Sequence, residues 1–168
     1  MEAFKHLLAY DPGIKFCLKT GLTARLKQLT ATKVYSKEGN AAIQRLSLGA
    51  LSNISMNPEG KCECVSEKVI EFTEHFLESE QEQEVSNTVT LVMFTAIDLQ
   101  GKKQCIYNGE GQVDTKILVK LIKLLDKESL NLHTRNDVME ALKIIAQEGD
   151  GFLAIANYMS RNSDIKHI

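Results

Sequence analysis

The sequence lacks the features that define several large classes of protein. Its 168 residues contain no run approaching the ~20 consecutive apolar residues that cross a bilayer, which excludes a membrane-spanning helix. It has no basic excess, because 20 Lys and Arg face 22 Asp and Glu, and this disfavours nucleic acid and anionic membrane surfaces as partners. Residues 1–6 lack the basic-then-apolar layout of a signal peptide. We therefore expect a protein of the cytoplasm, with the nucleus and the cytoskeleton as alternatives.

The sequence also lacks the residue patterns that enzymes and metalloproteins require. Cys62 and Cys64 lie closer together than a usual zinc-binding pair, and no second Cys/His pair follows at finger spacing. Gly109-Glu110-Gly111 lacks the third glycine and the preceding strand of a dinucleotide-binding fingerprint. Acidic residues are spread along the chain without a paired-carboxylate or nucleophile–base pattern. The sequence thus predicts a non-catalytic protein with no cofactor and no metal site.

What the sequence does contain is internal repetition. Four apolar segments each lead into a glycine, and these glycines recur at intervals of 47, 41 and 50 residues: Gly13, Gly60, Gly101 and Gly151. Four residues after the first three glycines stand Cys17, Cys64 and Cys105, and the fourth glycine is followed by Ile155. Equivalent cysteines in stacked units predict small buried side chains, about 10 Å apart and beyond the reach of a disulfide.

Each unit has the pattern of three helices. A short segment follows the glycine (Gly60 to Ser66, or Gly101 to Gly109), a second apolar segment comes next, and a longer third segment closes the unit. In residues 42–55, apolar side chains recur at the i, i+3, i+4 spacing of a helix. Residues 85–97 are rich in β-branched residues, yet they align with two helical segments, so we predict a helix there as well. The predicted class is all-α in a single domain.

A repeat of ~40–47 residues built from helices is typical of the armadillo and HEAT families. The segment Ala50-Leu51-Ser52-Asn53-Ile54-Ser55, leading to Gly60, resembles the end of an armadillo repeat, whereas HEAT repeats lack the separate short first helix. The resemblance implies an armadillo-like α-solenoid, a curved superhelix of about three repeats with partial repeats at both ends. Within a single domain of residues 1–168, the predicted units are 1–12 (partial), 13–59, 60–100, 101–150 and 151–159 (partial).

The resemblance also implies that the third helices line a concave surface. Armadillo proteins that bind extended peptides hold the peptide backbone with an Asn on each third helix, and Asn53 matches that position. The equivalents of Asn53 are His6, Phe94 and Ile144, and the Trp position of members that bind nuclear-localisation signals is Gly49 in a chain without Trp. We therefore do not expect recognition of nuclear-localisation signals.

The function predicted is a scaffold or adaptor that binds a protein or peptide partner on this concave face. The candidate contact residues, taken by their offset along the third helices, are Arg45, Asn53, Thr90, Phe94, Asn136, Glu140 and Ile144. Two other interpretations stay open: Asn53 bridges locally, and Phe94 and Ile144 are core residues between repeats. The alternative function is a subunit or fragment held in a large assembly, cytoskeletal, axonemal or co-chaperone, through exposed repeat ends. The acidic run at residues 78–84 is interpreted as a solvated turn, with docking of a basic partner as its alternative.

Overall fold

The computed structural model describes residues 10–33 and 36–161, and almost all of its regular structure is helical. A first unit contains α1 (Asp11–Lys19), α2 (Leu22–Thr30) and α3 (Lys37–Met56). A second contains α4 (Pro58–Ser66), α5 (Val69–Thr73) with a 3-10 helix (Glu74–Glu78), and α6 (Glu82–Thr95). A third contains α7 (Leu99–Ile106), α8 (Lys116–Leu125) and α9 (Leu132–Ile145), and α10 (Gly149–Arg161) follows it.

The predicted all-α class is confirmed. Within the described ranges no β-strand forms, and the extended pairing consists of one antiparallel bridge between Tyr107 and Val113. None of the helices in those ranges is both long and apolar enough to cross a bilayer. Most of the partial unit predicted at residues 1–12 lies outside the described residues, and so does His6.

The third helices of successive units pack side by side, so that α6 lies between α3 and α9. Within each unit the second helix packs against the third. The apolar side chains form two buried clusters that meet at α6, where Leu91 belongs to one cluster and Val89 and Val92 belong to the other. Burial on both sides explains why a segment so rich in β-branched residues is helical, because tertiary packing outweighs the small difference in intrinsic propensity.

A repeated close contact explains the spacing of the glycines. A Cβ atom placed on Gly60 would clash with the carbonyl oxygen of Ile54, and one on Gly101 would clash with that of Thr95. The same atom on Gly151 would lie 2.5 Å from the carbonyl oxygen of Ile145. Each short helix therefore lies directly against the end of the preceding third helix, at a separation that only glycine permits.

The short helices begin two residues before their glycines, at Pro58, Leu99 and Gly149 rather than at the predicted unit boundaries. The cause is an N-cap: Asn57 Oδ1 accepts hydrogen bonds from the backbone N–H groups of Glu59 and Gly60 at 3.0 and 3.3 Å. Asp98 Oδ1 does the same for the two residues that follow Leu99, at 2.8 and 3.3 Å. Side-chain capping satisfies amide groups that lack a partner within the helix and so fixes where it starts.

The repeated cysteines are buried, which confirms their interpretation as core residues. Cys17, Cys64 and Cys105 are each at most 1% exposed, whereas Cys62 is exposed, and all four thiols are free. Desolvation raises the pKa of Cys64 and Cys105 to about 12. These two thiols therefore stay protonated and act as small apolar side chains.

The third unit differs from the first two in the connection between its short and second helices. Two residues make this connection in the first two units, whereas residues 107–115 make it in the third. Asn108 Oδ1 accepts hydrogen bonds from the N–H groups of Glu110 and Gln112, both at 3.0 Å, and folds this segment into a hairpin-like turn. The predicted short segment of residues 101–109 accordingly ends early, because α7 stops at Ile106.

The acidic run at residues 78–84 is exposed at Glu78 and over residues 80–83, as a solvated turn would be, but Glu84 is buried. Lys120 Nζ lies 3.0 Å from Glu78 Oε2, and this hydrogen bond and charge lower the pKa of Glu78. Glu84 is buried in the first turn of α6, where its Oε2 accepts a hydrogen bond from Ser79 Oγ at 2.6 Å. The interpretation as a solvated turn is therefore wrong for Glu84, whose carboxylate is bonded to a hydroxyl of the same segment.

Candidate functional site

The predicted contact residues lie on α3, α6 and α9, the three helices that pack side by side. Equivalent positions on these helices define three rows. The C-terminal row is Asn53, Phe94 and Ile144; the middle row is Gly49, Thr90 and Glu140; the N-terminal row is Arg45, Ser86 and Asn136. Together the rows are called the ridge below. The structure thus brings the seven predicted residues onto three adjacent helices, but it gives the rows very different exposure.

The C-terminal row is half-buried along its whole length. Asn53 has no hydrogen-bond partner in the part of the chain that the structure describes, although its amide carries two donors and an acceptor. Phe94 belongs to neither buried cluster, and Ile144 packs only against the edge of one. An amide with unused hydrogen-bonding groups therefore stands in line with two partly exposed apolar side chains.

Two more apolar side chains extend this row at the helix ends. Met56 ends α3 and Ile97 lies just beyond the end of α6, at equivalent positions, and each is 50% exposed. Both stand three residues after a member of the C-terminal row, on the same side of the helix end. The C-terminal row together with Met56 and Ile97 thus forms an apolar strip that carries one unpaired amide, that of Asn53.

In the middle row, side chains of the neighbouring helix cover Gly49 and Thr90, whereas Glu140 is exposed. Asn87 Nδ2 lies 3.3 Å from the position that a Cβ atom on Gly49 would occupy. Thr90 is only 8% exposed, and its hydroxyl donates a hydrogen bond to Asp137 Oδ2 at 3.4 Å. Asn87 is held in turn by Gln83, whose Nε2 donates to Asn87 Oδ1 at 3.0 Å. Thr90, a predicted contact residue, thus has little surface to offer a partner and joins α6 to α9.

Sequence reasoning missed Asn87 and Asp137, whose side chains contact the preceding third helix. They stand 50 residues apart, which is also the separation of Gly101 and Gly151. The repeat spacing could have predicted these contacts, because two polar residues at equivalent positions of adjacent third helices are placed to make the same inter-helix contact.

The N-terminal row is polar, and Ser86 at its centre is half-buried. Arg45 and Asn136 are exposed, and the structure records no hydrogen bond or ion pair for either within the described ranges. Glu140, in the middle row, lies 3.4 Å from Lys143 Nζ in an exposed pair, which contributes little stability. The charge of the ridge therefore changes from the Arg45 cation on α3 to the Glu140 carboxylate on α9.

Titratable side chains in the described ranges form no metal-binding cluster. No group of three or more His, Cys, Asp or Glu side chains there is close enough to hold a metal ion. One polar cleft lies between α5 and the hairpin at residues 107–115, where Glu74 accepts a hydrogen bond from Lys116 and lies 3.8 Å from Lys120 Nζ. The hydrogen bond to Glu74 raises the pKa of Lys116. These groups neutralise one another and tie α8 to the preceding unit.

Comparison with known proteins establishes a likeness of fold alone. No protein-family model matches the chain, and no curated protein matches it. A crystal structure of an engineered protein superposes with a TM-score of 0.73 at 19% sequence identity, over 92% of this chain and 58% of the other. The chain thus spans well under two thirds of that engineered protein. At this identity the match supports the arrangement of helices and says nothing about a ligand.

Proposed function

We propose that this chain is a non-catalytic scaffold or adaptor of the cytoplasm that binds a protein or peptide partner along the ridge. The observation that carries the proposal is the C-terminal row, where the unpaired amide of Asn53 lies in line with the half-exposed Phe94 and Ile144. Burying a polar group without a hydrogen-bond partner costs free energy. Asn53 would incur this cost if a bound protein covered its amide without forming a hydrogen bond to it. A partner must therefore bring a hydrogen-bonding group and apolar side chains together, as a peptide does.

We also propose that the stack is an armadillo-like superhelix whose ridge is concave. Support comes from the order of a short, a second and a third helix, which recurs three times in the described ranges. The short helix is a separate element in each unit, which favours armadillo over HEAT architecture. Side-by-side packing of α3, α6 and α9 gives the continuous inner layer that such a superhelix requires.

In this mechanism an extended peptide crosses the three helices in turn. Asn53 holds a backbone amide of the peptide through its carbonyl and NH₂ groups, and the apolar strip binds side chains on either side. Aromatic side chains at the centre of an interface often carry most of the binding energy, which makes Phe94 the principal contact. The mixed charge of the ridge suits a protein partner better than a phosphate backbone.

The experiment is a selection of peptides from a random display library on the full chain, followed by affinity measurements on the selected peptides. Phe94→Asp is expected to weaken binding at least about tenfold, since it places a charge in the apolar strip. Phe72→Asp is the matched control, because Phe72 is an exposed phenylalanine (44%) on α5, away from the ridge. Circular dichroism of both variants serves to check that they fold. Equal affinity of Phe94→Asp and Phe72→Asp, or failure to select any peptide, contradicts the proposal.

A second candidate function is a structural subunit of a large assembly, such as a cytoskeletal, axonemal or co-chaperone complex. The observation that favours it is the exposure of two aromatic side chains at the start of the stack, Tyr10 at 70% and Phe16 at 61%. In a subunit of this kind, Phe16→Asp blocks incorporation and Phe94→Asp does not. The scaffold hypothesis predicts the opposite outcome for the two variants.

A further inference from the structure

On α10, two exposed apolar residues stand where α7 carries two lysines. Phe152 and Leu153 directly follow Gly151 and are 59% and 55% exposed. Their equivalents after Gly101 are Lys102 and Lys103. Lys103 is exposed although its helix, α7, has further helices of the stack on both sides. The position of Leu153 therefore faces solvent in a complete unit as well, so its exposure follows from its place on the short helix.

Leu153 also lines a cleft between α10 and the hairpin at residues 107–115. The cleft has a volume of about 340 Å³, and its apolar lining comes from Val113, Leu153, Ala154 and Tyr158. In the corresponding cleft one unit earlier, Lys103 and Gln104 stand in place of Leu153 and Ala154. Val113 is itself 53% exposed. The cleft beside α10 thus combines the apolar side chains of Val113 and Leu153 with polar ones from Thr115, Asp150, Asn157 and Arg161.

The two ends of this cleft carry opposite charges. Asp150 lies at the start of α10 and Arg161 at its end, and both line the cleft. They are separated by about 16 Å along the helix, at 1.5 Å per residue. Tyr107 donates a hydrogen bond to Asp150, which holds that carboxylate in place and raises the pKa of Tyr107. In the described ranges Arg161 makes no ion pair.

This surface is complementary to itself. When two copies of α10 lie antiparallel about a two-fold axis, Asp150 of each copy stands opposite Arg161 of the other. The same alignment places Leu153 opposite Tyr158, at the apolar part of the other copy's cleft. Antiparallel helices also bring the positive end of one helix dipole to the negative end of the other.

We propose that two copies of this chain pair through α10 in this antiparallel, two-fold arrangement, with Leu153 of each copy in the cleft of the other. The contact is isologous, so it closes at two copies and does not continue into a filament. One pair of 13-residue helices offers a small contact, in the range below about 1,200 Å² that is typical of weak association. The ridge takes no part in it, so this inference does not depend on the proposed function.

Sedimentation velocity of the full chain between about 1 and 300 µM tests the pairing, since this range covers the weak affinities of small interfaces. The wild-type chain is expected to shift from monomer to dimer. Leu153→Glu is expected to raise the dissociation constant at least about tenfold. Lys103→Glu, the equivalent exposed position one unit earlier, is expected to leave the dimer intact. A wild-type chain that stays monomeric, a dimer that tolerates Leu153→Glu, or open-ended assembly overturns the proposal.

A charge exchange tests the antiparallel geometry. Asp150→Arg alone places two arginines together at both ends of the dimer, and Arg161→Asp alone places two aspartates together, so each variant is expected to be monomeric. An equimolar mixture of the two variants restores an Asp–Arg pair at both ends and is expected to dimerise. Failure of the mixture to dimerise overturns the alignment, and so does stable dimerisation of either variant alone.

Discussion

At the scale of single residues, the backbone of Lys68 shows where the sequence is not optimal for its fold. Lys68 connects α4 to α5 with φ of 52°. Within the described ranges it is the only non-glycine residue with positive φ. Gly21 occupies the equivalent connection in the first unit with φ of 65°. The left-handed region costs an L-residue about 1–2 kcal/mol because the Cβ atom crowds the backbone, whereas glycine has no such penalty.

Replacing Lys68 with glycine should therefore stabilise the protein. We expect Lys68→Gly to raise the free energy of unfolding by about 0.5–1 kcal/mol, after allowing for the greater freedom of glycine in the unfolded chain. The ion pair that is lost, Lys68 with Glu71 at 3.8 Å, is exposed and contributes little. Urea denaturation measures the change.

The control for this substitution is Lys103→Gly, because Lys103 is an exposed lysine with helical backbone in α7. Glycine in a helix costs about 1 kcal/mol, so this variant should be less stable than the wild type. If both variants lose stability to the same extent, the left-handed backbone at Lys68 carries no cost and the explanation is wrong.

At the scale of helices, the junction between a third helix and the next short helix sets the geometry of the stack. In each junction a glycine lies against a carbonyl group six residues earlier. At Gly101 a Cβ atom would also lie 2.7 Å from the carbonyl carbon of Thr95 and 3.1 Å from Val65 Cγ2. Because two of these neighbours are backbone atoms, no side-chain rotation can make room.

We expect Gly101→Ala to lower the free energy of unfolding by about 2–3 kcal/mol, the upper range for overpacking, because α7 must move away from the end of α6. Gly109→Ala is the matched control, since a Cβ atom there meets nothing within 4 Å. That variant should unfold within about 0.5 kcal/mol of the wild type, as surface substitutions usually do. Similar thermal denaturation of Gly101→Ala and the wild type would show that the junction is not tightly packed.

The helices of the units were largely predictable from the sequence, because glycine spacing and apolar periodicity reflect local packing. The glycine register located the short helices to within two residues, and the caps at Asn57 and Asp98 account for the difference. The hairpin at residues 107–115 was not predictable, since it depends on a side-chain turn at Asn108 that no repeated position shares. Glu84 was misjudged because its exposure depends on Ser79, in the connection before the helix.

At the scale of the whole molecule, the ridge exists because equivalent helices of successive units pack against one another. Each unit contacts mainly its neighbours, so the ridge arises from repetition of one position along the chain. The repeat spacing in the sequence predicted the rows of the ridge, but it did not predict which rows are exposed. Thr90 is closed by Asp137, a residue 47 positions away, and that contact depends on how far one side chain reaches across two helices.

The central claim is that a peptide binds the C-terminal row of the ridge. The most direct measurement is the NMR spectrum of the chain with ¹³C-labelled isoleucine methyl groups, recorded with and without a peptide selected from the display library. Ile97 and Ile144 lie on or beside the row, whereas Ile117 and Ile122 are buried in α8. We predict that the methyl signals of Ile97 and Ile144 shift and that those of Ile117 and Ile122 do not. Shifts confined to α8, or to Ile155 on α10, would place the peptide elsewhere and contradict the account.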